Sequence, residues 1–131
     1  MKTAVIYIRV RVADGSQEVI DRQKAACKQF ADEQGFEIVK TYIDNEEFGK
    51  PVNRASLSQM IDDSRTATWN AVITYSADRI CRDIRKFIKF EDTLEKYGKS
   101  LLIVTAPHRD TEYRQILREI SKSIHTRSKR K

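Results

Sequence analysis

Arginine side chains follow the ends of several strand-like segments in this sequence. Arg9 closes the first segment, Arg54 follows an acidic loop, and Arg79 and Arg82 come shortly after a third segment, with Asp78 beside them. A guanidinium group stays charged and binds two phosphate oxygens at once, so clustered arginines suit phosphodiester recognition. Each arginine taken alone is more typical of a structural or solvated side chain. Because sites in parallel α/β folds lie at the carboxyl ends of strands, the set together predicts a phosphate-binding or phosphoryl-transfer site.

Several other chemistries lack the residues that they need. The four glycines, at positions 15, 35, 49 and 98, form neither a dinucleotide-binding pattern nor a P-loop. His108 and His125 have no metal-ligand spacing, and Cys27 and Cys81 are isolated residues in helical patterns. The first strand ends in basic residues, whereas a phosphoacceptor domain would carry clustered acids there. We therefore expect no metal, no small-molecule cofactor and two buried thiols in a cytosolic protein of bacterial, archaeal or phage origin.

Strand-like and helix-like patterns alternate along the 131 residues. β-Branched and aromatic runs predict strands over 3–10, 36–43, 70–76 and 100–105, the first of them buried on both faces. Apolar residues at helical spacing predict helices over 16–34, 54–65, 82–97 and 110–125, and the segment 44–53 has the composition of a loop. The alternation predicts an α/β fold with a mainly parallel sheet of four or five strands and helices on both faces.

Four motifs give the chain a family resemblance. They are Tyr7-Ile8-Arg9-Val10 on the first strand, Gln23 in the first helix, Asn53-Arg54 with Leu57, and Ala77-Asp78-Arg79-Ile80-Cys81-Arg82-Asp83 after the third strand. Over about residues 3–105 the chain resembles the catalytic domain of serine recombinases, which include resolvases, invertases and large serine integrases. The resemblance implies the resolvase-like fold and a DNA strand-cutting and rejoining activity. In that family a serine hydroxyl attacks the scissile phosphate, leaving a 5′-phosphoserine link and a free 3′-hydroxyl, within a tetramer that exchanges strands by subunit rotation.

The resemblance also implies roles for individual residues. Four arginines match the family's phosphate-clamping positions, one aspartate matches its proton-transfer residue, and two polar residues match its supporting hydrogen-bonding positions: Arg9, Arg54, Arg79 and Arg82; Asp78; Tyr7 and Gln23.

The chain departs from the family pattern where the nucleophile belongs. The position that follows the first motif holds Arg11, and a guanidinium group has no oxygen with which to form a phosphoester. Ser16 lies five residues farther on, and it suits a helix cap or loop better than a displaced nucleophile. We therefore expect cleavage to be lost in the chain as written.

Positive charge is concentrated at the end of the chain. The protein carries a formal net charge of +6, and from Thr111 onward seven basic residues stand against Glu112 and Glu119, a net of +5. The basic residues are Arg114, Arg118, Lys122, Arg127, Lys129, Arg130 and Lys131. This asymmetry predicts either a DNA-binding tail or a solvated terminus. We expect a catalytic-type domain over 1–109, then a helix and basic tail over 110–131, with no separate DNA-binding domain.

Two functional interpretations remain open at this point. In the first, the chain is a serine recombinase-type domain that acts on DNA but is deficient in cleavage. In the second, it is a non-catalytic DNA-binding and oligomerisation module that pairs with itself or with an intact recombinase. Both predict DNA as a partner and a homodimer or higher oligomer, with no membrane association, since no apolar run approaches the length of a bilayer span.

Overall fold

The structure is a computed structural model that describes residues 2–10, 17–45, 54–80 and 83–105, without the side chains of residues 77, 78 and 84. Its strands are β1 (Lys2–Val10), β2 (Phe36–Asn45), β3 (Ala71–Thr74) and β4 (Ser100–Ile103). Its helices are α1 (Gln17–Gln34), α2 (Ala55–Ser64), α3 (Ala77–Ile80) and α4 (Ile84–Lys96). Within these ranges no helix has the length and apolarity to cross a membrane.

The four strands form one sheet in the order β2-β1-β3-β4, and every pairing between neighbours is parallel. The predicted α/β fold with a parallel sheet is confirmed. The chain moves from β1 to one side to form β2, then returns past β1 to form β3 on the other side. Such a reversal between adjacent strands opens a crevice at their carboxyl ends, where ligands of open α/β sheets bind.

Two apolar cores cover the two faces of the sheet. Val5 and Tyr7 of β1 face the core that includes residues of α2 and α4, whereas Ile6 and Ile8 face the core that includes residues of α1. Both sets of side chains are fully buried, as predicted for a strand covered on both faces. Helices therefore lie on both faces of the sheet, and β1 is held rigidly at its centre.

Glycines end two helices in the manner that the sequence indicates. Gly35 after α1 and Gly98 after α4 have φ angles of 79° and 76°, a region that favours glycine. The amide of Gly98 donates to the carbonyl of Glu95 (2.9 Å) and that of Lys99 to the carbonyl of Leu94 (2.8 Å), which forms a Schellman motif. These bonds satisfy the last carbonyls of α4 before β4 begins.

The element boundaries differ from the predicted ones in three places. Strand β2 continues through Asp44 and Asn45, which we had assigned to a loop, because β1 pairs with both residues in parallel register. The short helix α3 was not predicted, and α4 begins at Ile84, where the Asp83 carboxylate accepts hydrogen bonds from the amides of Arg85 and Lys86. Strands β3 and β4 are shorter than their apolar patterns. The Ser16 cap, Cys81 and the helix over 110–125 lie outside the described residues.

Candidate active site

The carboxyl ends of β1 and β3 meet through Arg79. Its Nη1 donates to the carbonyl oxygen of Arg9 at 3.0 Å, so the contact spans the crevice where the strand order reverses. The same carbonyl accepts a longer bond from Nε2 of Gln23, at 3.4 Å. Three residues that the sequence analysis selected, from β1, α1 and α3, therefore lie within one hydrogen-bonded group.

Arg54 directs much of its guanidinium group into the protein. Its Nη2 donates to the hydroxyl of Tyr7 at 2.9 Å and to the carbonyl of Arg79 at 2.8 Å, and its Nη1 donates to the carbonyl of Ile80. The last carbonyls of a helix have no partner within the helix, and Arg54 supplies one for α3. The arginine thereby fixes α3, and with it Arg79, against the end of β1.

Arg54 also shows where the predicted role and the geometry differ. A phosphate clamp presents its donors to solvent, yet these donors are occupied by protein oxygens. Nε of Arg54 is buried and has no hydrogen-bond partner among the residues described. The structure thus gives Arg54 a positioning contact to α3, in addition to the charge that it contributes to the edge.

Tyr7 links Arg54 to a buried carboxylate. The Tyr7 hydroxyl accepts the bond from Arg54 and donates to Oδ2 of Asp44 at 2.8 Å. Both Tyr7 and Asp44 are buried. Burial raises the pKa of Tyr7 far above its usual value, although the neighbouring Arg54 opposes that rise. Tyr7 therefore stays protonated and acts as a fixed relay of hydrogen bonds.

Asp44 is the site residue that the sequence analysis missed. Besides Tyr7, its carboxylate accepts the amide of Ser56 at 2.9 Å through Oδ1 and that of Leu57 at 3.0 Å through Oδ2. These are first-turn amides of α2, whose own N-cap residue, Arg54, provides no side-chain cap. A carboxylate on β2 therefore caps α2 from a distance. The available signal was a helix start without a local cap, following an aspartate at a strand end.

The remaining predicted site residues are beyond what the structure describes. Arg11, Ser16, Arg82 and the seven basic residues from Arg114 to Lys131 fall in the segments left out, and the side chain of Asp78 is not described. In the described ranges no group of three His, Cys, Asp or Glu side chains is placed to hold a metal ion. What the described residues form is a rigid, arginine-bearing strand edge that can position and neutralise an anion.

Comparison with known families identifies this arrangement. The family model for the resolvase N-terminal domain matches residues 4–131. The chain belongs to the resolvase N-terminal domain family. Family membership agrees with the resemblance that the sequence motifs indicated, and it makes the chain a serine recombinase-type catalytic domain.

Solved structures in the resolvase family share the fold. The N-terminal catalytic domain of TP901-1 integrase aligns with a TM-score of 0.78 at 22% identity, covering 95% of this chain and 98% of that one. A resolvase family site-specific recombinase from Streptococcus pneumoniae aligns with a TM-score of 0.81 at 20% identity, over 98% and 91% of the two chains. The C-terminal catalytic domain of ISC1926 TnpA, an IS607-like serine recombinase, gives 0.67 at 24% identity, over 78% and 69%. No curated protein matches the chain significantly.

Proposed function

We propose that this chain is the catalytic-type domain of a serine site-specific recombinase, that it binds the phosphodiester backbone of DNA, and that it does not cleave DNA because Arg11 occupies the nucleophile position. The observation that carries the proposal is the contact of Arg79 with the end of β1, fixed by Arg54 in a resolvase-family fold. We assign the catalytic-type domain to residues 1–109 and a helix with a basic tail to residues 110–131.

The proposed site works by position and charge. Arg9, Arg79 and Arg82 would bind the oxygens of one phosphate, while Tyr7 and Gln23 hold the backbone around them. A serine hydroxyl is a weak nucleophile at neutral pH and needs such an electropositive setting. In a competent relative its oxygen would form a bond to phosphorus, the bond from phosphorus to the 3′ oxygen would break, and that oxygen would take a proton, with Asp78 assisting. Arg11 supplies no oxygen for the first of these steps.

Restoring a hydroxyl at position 11 tests the chemical part of the proposal. The chain as written should form no covalent adduct with a nicked suicide substrate, whereas Arg11→Ser should form an adduct that survives denaturation. Arg11→Ala is the matched control, because it removes the guanidinium without supplying an oxygen. An adduct with the unaltered chain would contradict the assignment of position 11, and Ser16→Ala would then show whether Ser16 is the nucleophile.

The second candidate function is a non-catalytic module that pairs with itself or with an intact recombinase. It is favoured by Arg11 together with an apolar stripe on the predicted last helix: Tyr113, Ile116, Leu117, Ile120 and Ile124. Sedimentation equilibrium at micromolar concentrations should show a concentration-dependent dimer. Ile116→Glu should shift it to monomer, and Ile43→Glu, at a partly exposed position on β2, should not. A strict monomer at high micromolar concentration would count against self-pairing.

A further inference from the structure

Three basic side chains share the exposed side of α4. Arg85, Lys86 and Lys89 are all exposed, while Phe87 and Phe90 of the same helix are buried in the core. Arg85 and Lys89 are one turn apart, and Lys86 is beside them on the same arc. We call these three residues the basic α4 surface.

The fold brings this surface to the edge that carries the candidate active site. Helix α4 begins at Ile84, shortly after Ile80, whose carbonyl is held by Arg54. Since α4 connects the carboxyl edge near β3 to the start of β4, its first turns lie at the same edge as Arg79. The basic α4 surface therefore flanks the site, whereas Lys96 is about 16 Å farther along the helix axis.

The charges on α4 run against the preference of the helix. Cations are favourable near a helix C-terminus and unfavourable near its N-terminus, yet α4 places Arg85 and Lys86 in its first turn and has no acidic residue there. Asp83 caps the amides of this turn and offsets part of the charge. None of the three basic side chains has an ion-pair partner within 4 Å in the described part of the chain. An arrangement with a local electrostatic cost and no compensating contact is typical of a surface kept for a ligand.

We propose that the basic α4 surface is a second contact with the DNA backbone, beside the candidate active site, that orients the duplex across the carboxyl edge of the sheet. This inference rests on the proposed function and adds a surface to it. Arg85 and Lys89 are separated by about 6 Å along the helix axis. Phosphates recur about every 3.4 Å along one strand of the duplex, so the surface spans about two phosphates. Exposed lysines and an arginine without base-reading contacts would bind the backbone and not a sequence.

Lysine footprinting on the unaltered full chain tests where DNA lies. The chain is treated briefly with an acetylating reagent, with and without a duplex of mixed sequence, and each lysine is quantified by mass spectrometry. Lys86 and Lys89 should be protected severalfold by DNA. Lys28, exposed on α1, and Lys96, at the far end of α4, serve as internal controls and should change little. Equal protection of all four lysines, or protection of the controls alone, would overturn the proposal.

Salt-dependent binding of a triple variant tests whether the surface contributes affinity. In fluorescence anisotropy titrations, R85Q/K86Q/K89Q should reduce the slope of log K against log salt by about two to three, at about 0.9 per lost phosphate contact. The matched variant K28Q/K96Q should keep the slope of the unaltered chain. The triple variant should melt at the same or a higher temperature, because it removes unfavourable charge from the first turn of α4.

The outcomes separate this inference from the proposed function. If the unaltered chain binds DNA with steep salt dependence and the triple variant matches it, the basic α4 surface is not a DNA contact, although the proposed function stands. If the unaltered chain does not bind DNA at low salt, the proposed function fails and this inference fails with it.

Discussion

At the scale of single residues, the feature that organises the candidate site is the buried chain Asp44–Tyr7–Arg54. Burying a polar group costs free energy unless its hydrogen bonds are made inside the protein. Here the Asp44 carboxylate accepts from Tyr7 and from two amides, and the Tyr7 hydroxyl both donates and accepts. Removing one member leaves the others buried with an unmet bond, so the effect on stability should exceed that of an isolated hydrogen bond.

A double-mutant cycle on Tyr7 and Asp44 tests this coupling. Tyr7→Phe and Asp44→Asn should each lower the free energy of unfolding by about 1–2 kcal/mol, because each leaves a buried group unsatisfied. The double variant should lose less than the sum, with a coupling of about 1 kcal/mol, since both changes remove the same bond. Urea denaturation measures all four proteins. Tyr75→Phe, at a tyrosine that is 37% exposed, is the control and should stay within about 0.5 kcal/mol. Strict additivity would contradict the coupling.

At the scale of elements, β2 and α2 are joined near both ends of the helix. Asp44 caps the first turn of α2, and near its last turn the Tyr42 hydroxyl donates to Oδ2 of Asp63 at 2.6 Å. Lys40 and Gln59 also donate to the Asp63 carboxylate. The hydrogen bond from Tyr42, with smaller contributions from Gln59 and Lys40, lowers the pKa of Asp63 below its usual value. This second junction is therefore sensitive to acid.

The sign of that sensitivity follows from linkage. A carboxyl whose pKa is lowered on folding stabilises the protein above its unfolded pKa, near 3.8, and this contribution disappears as the pH falls through the lower folded value. Tyr42→Phe removes the main cause of the shift. The stability difference between the unaltered protein and Tyr42→Phe should be constant from pH 7 to about 5 and shrink below about pH 4. Thermal melts across this range measure it, with Tyr75→Phe as the control. A difference that grows on acidification would refute the role of Asp63.

At the scale of the whole molecule, α1 covers one face of the sheet and buries the thiol of Cys27. The side chain contacts no solvent and lies in the core with Phe30 and Ile6. Burial raises the pKa of Cys27 to about 12, so the reactive thiolate is a minute fraction at pH 8. Alkylation of Cys27 therefore reports the opening of α1 from the sheet.

Peptide-resolved alkylation with iodoacetamide at pH 8 tests how firmly α1 is seated. Cys27 should remain unmodified in native protein over a period in which the urea-unfolded protein is fully labelled. Phe30→Ala should accelerate labelling by 100-fold or more, because truncating a core phenylalanine costs about 3–5 kcal/mol. Val39→Ala, at an exposed position on β2, is the control and should leave the rate unchanged. Native labelling of Cys27 at the rate of the unfolded chain would contradict the described packing.

The sequence by itself determined the parallel α/β class, the central buried strand and the glycine helix ends, because these follow from short-range periodicity and backbone preference. It also selected Arg9, Arg79, Gln23 and Tyr7, since strand ends and a family motif mark them. The roles of Arg11, Ser16, Asp78, Arg82 and the basic tail stay predictions.

Only the tertiary structure decided how the selected residues meet. The strand order puts β1 beside β3, which lets Arg79 reach the carbonyl of Arg9, and no local pattern encodes that order. The register of β2 against β1 extends the strand to Asp44 and aims its carboxylate at α2, against a local composition that favours a loop. Arg54 turns inward because the end of α3 offers it carbonyl groups. These contacts join residues 12 to 70 positions apart in the chain, and the physical reason is the same for each: a buried polar group takes its partner from whichever element the fold brings near.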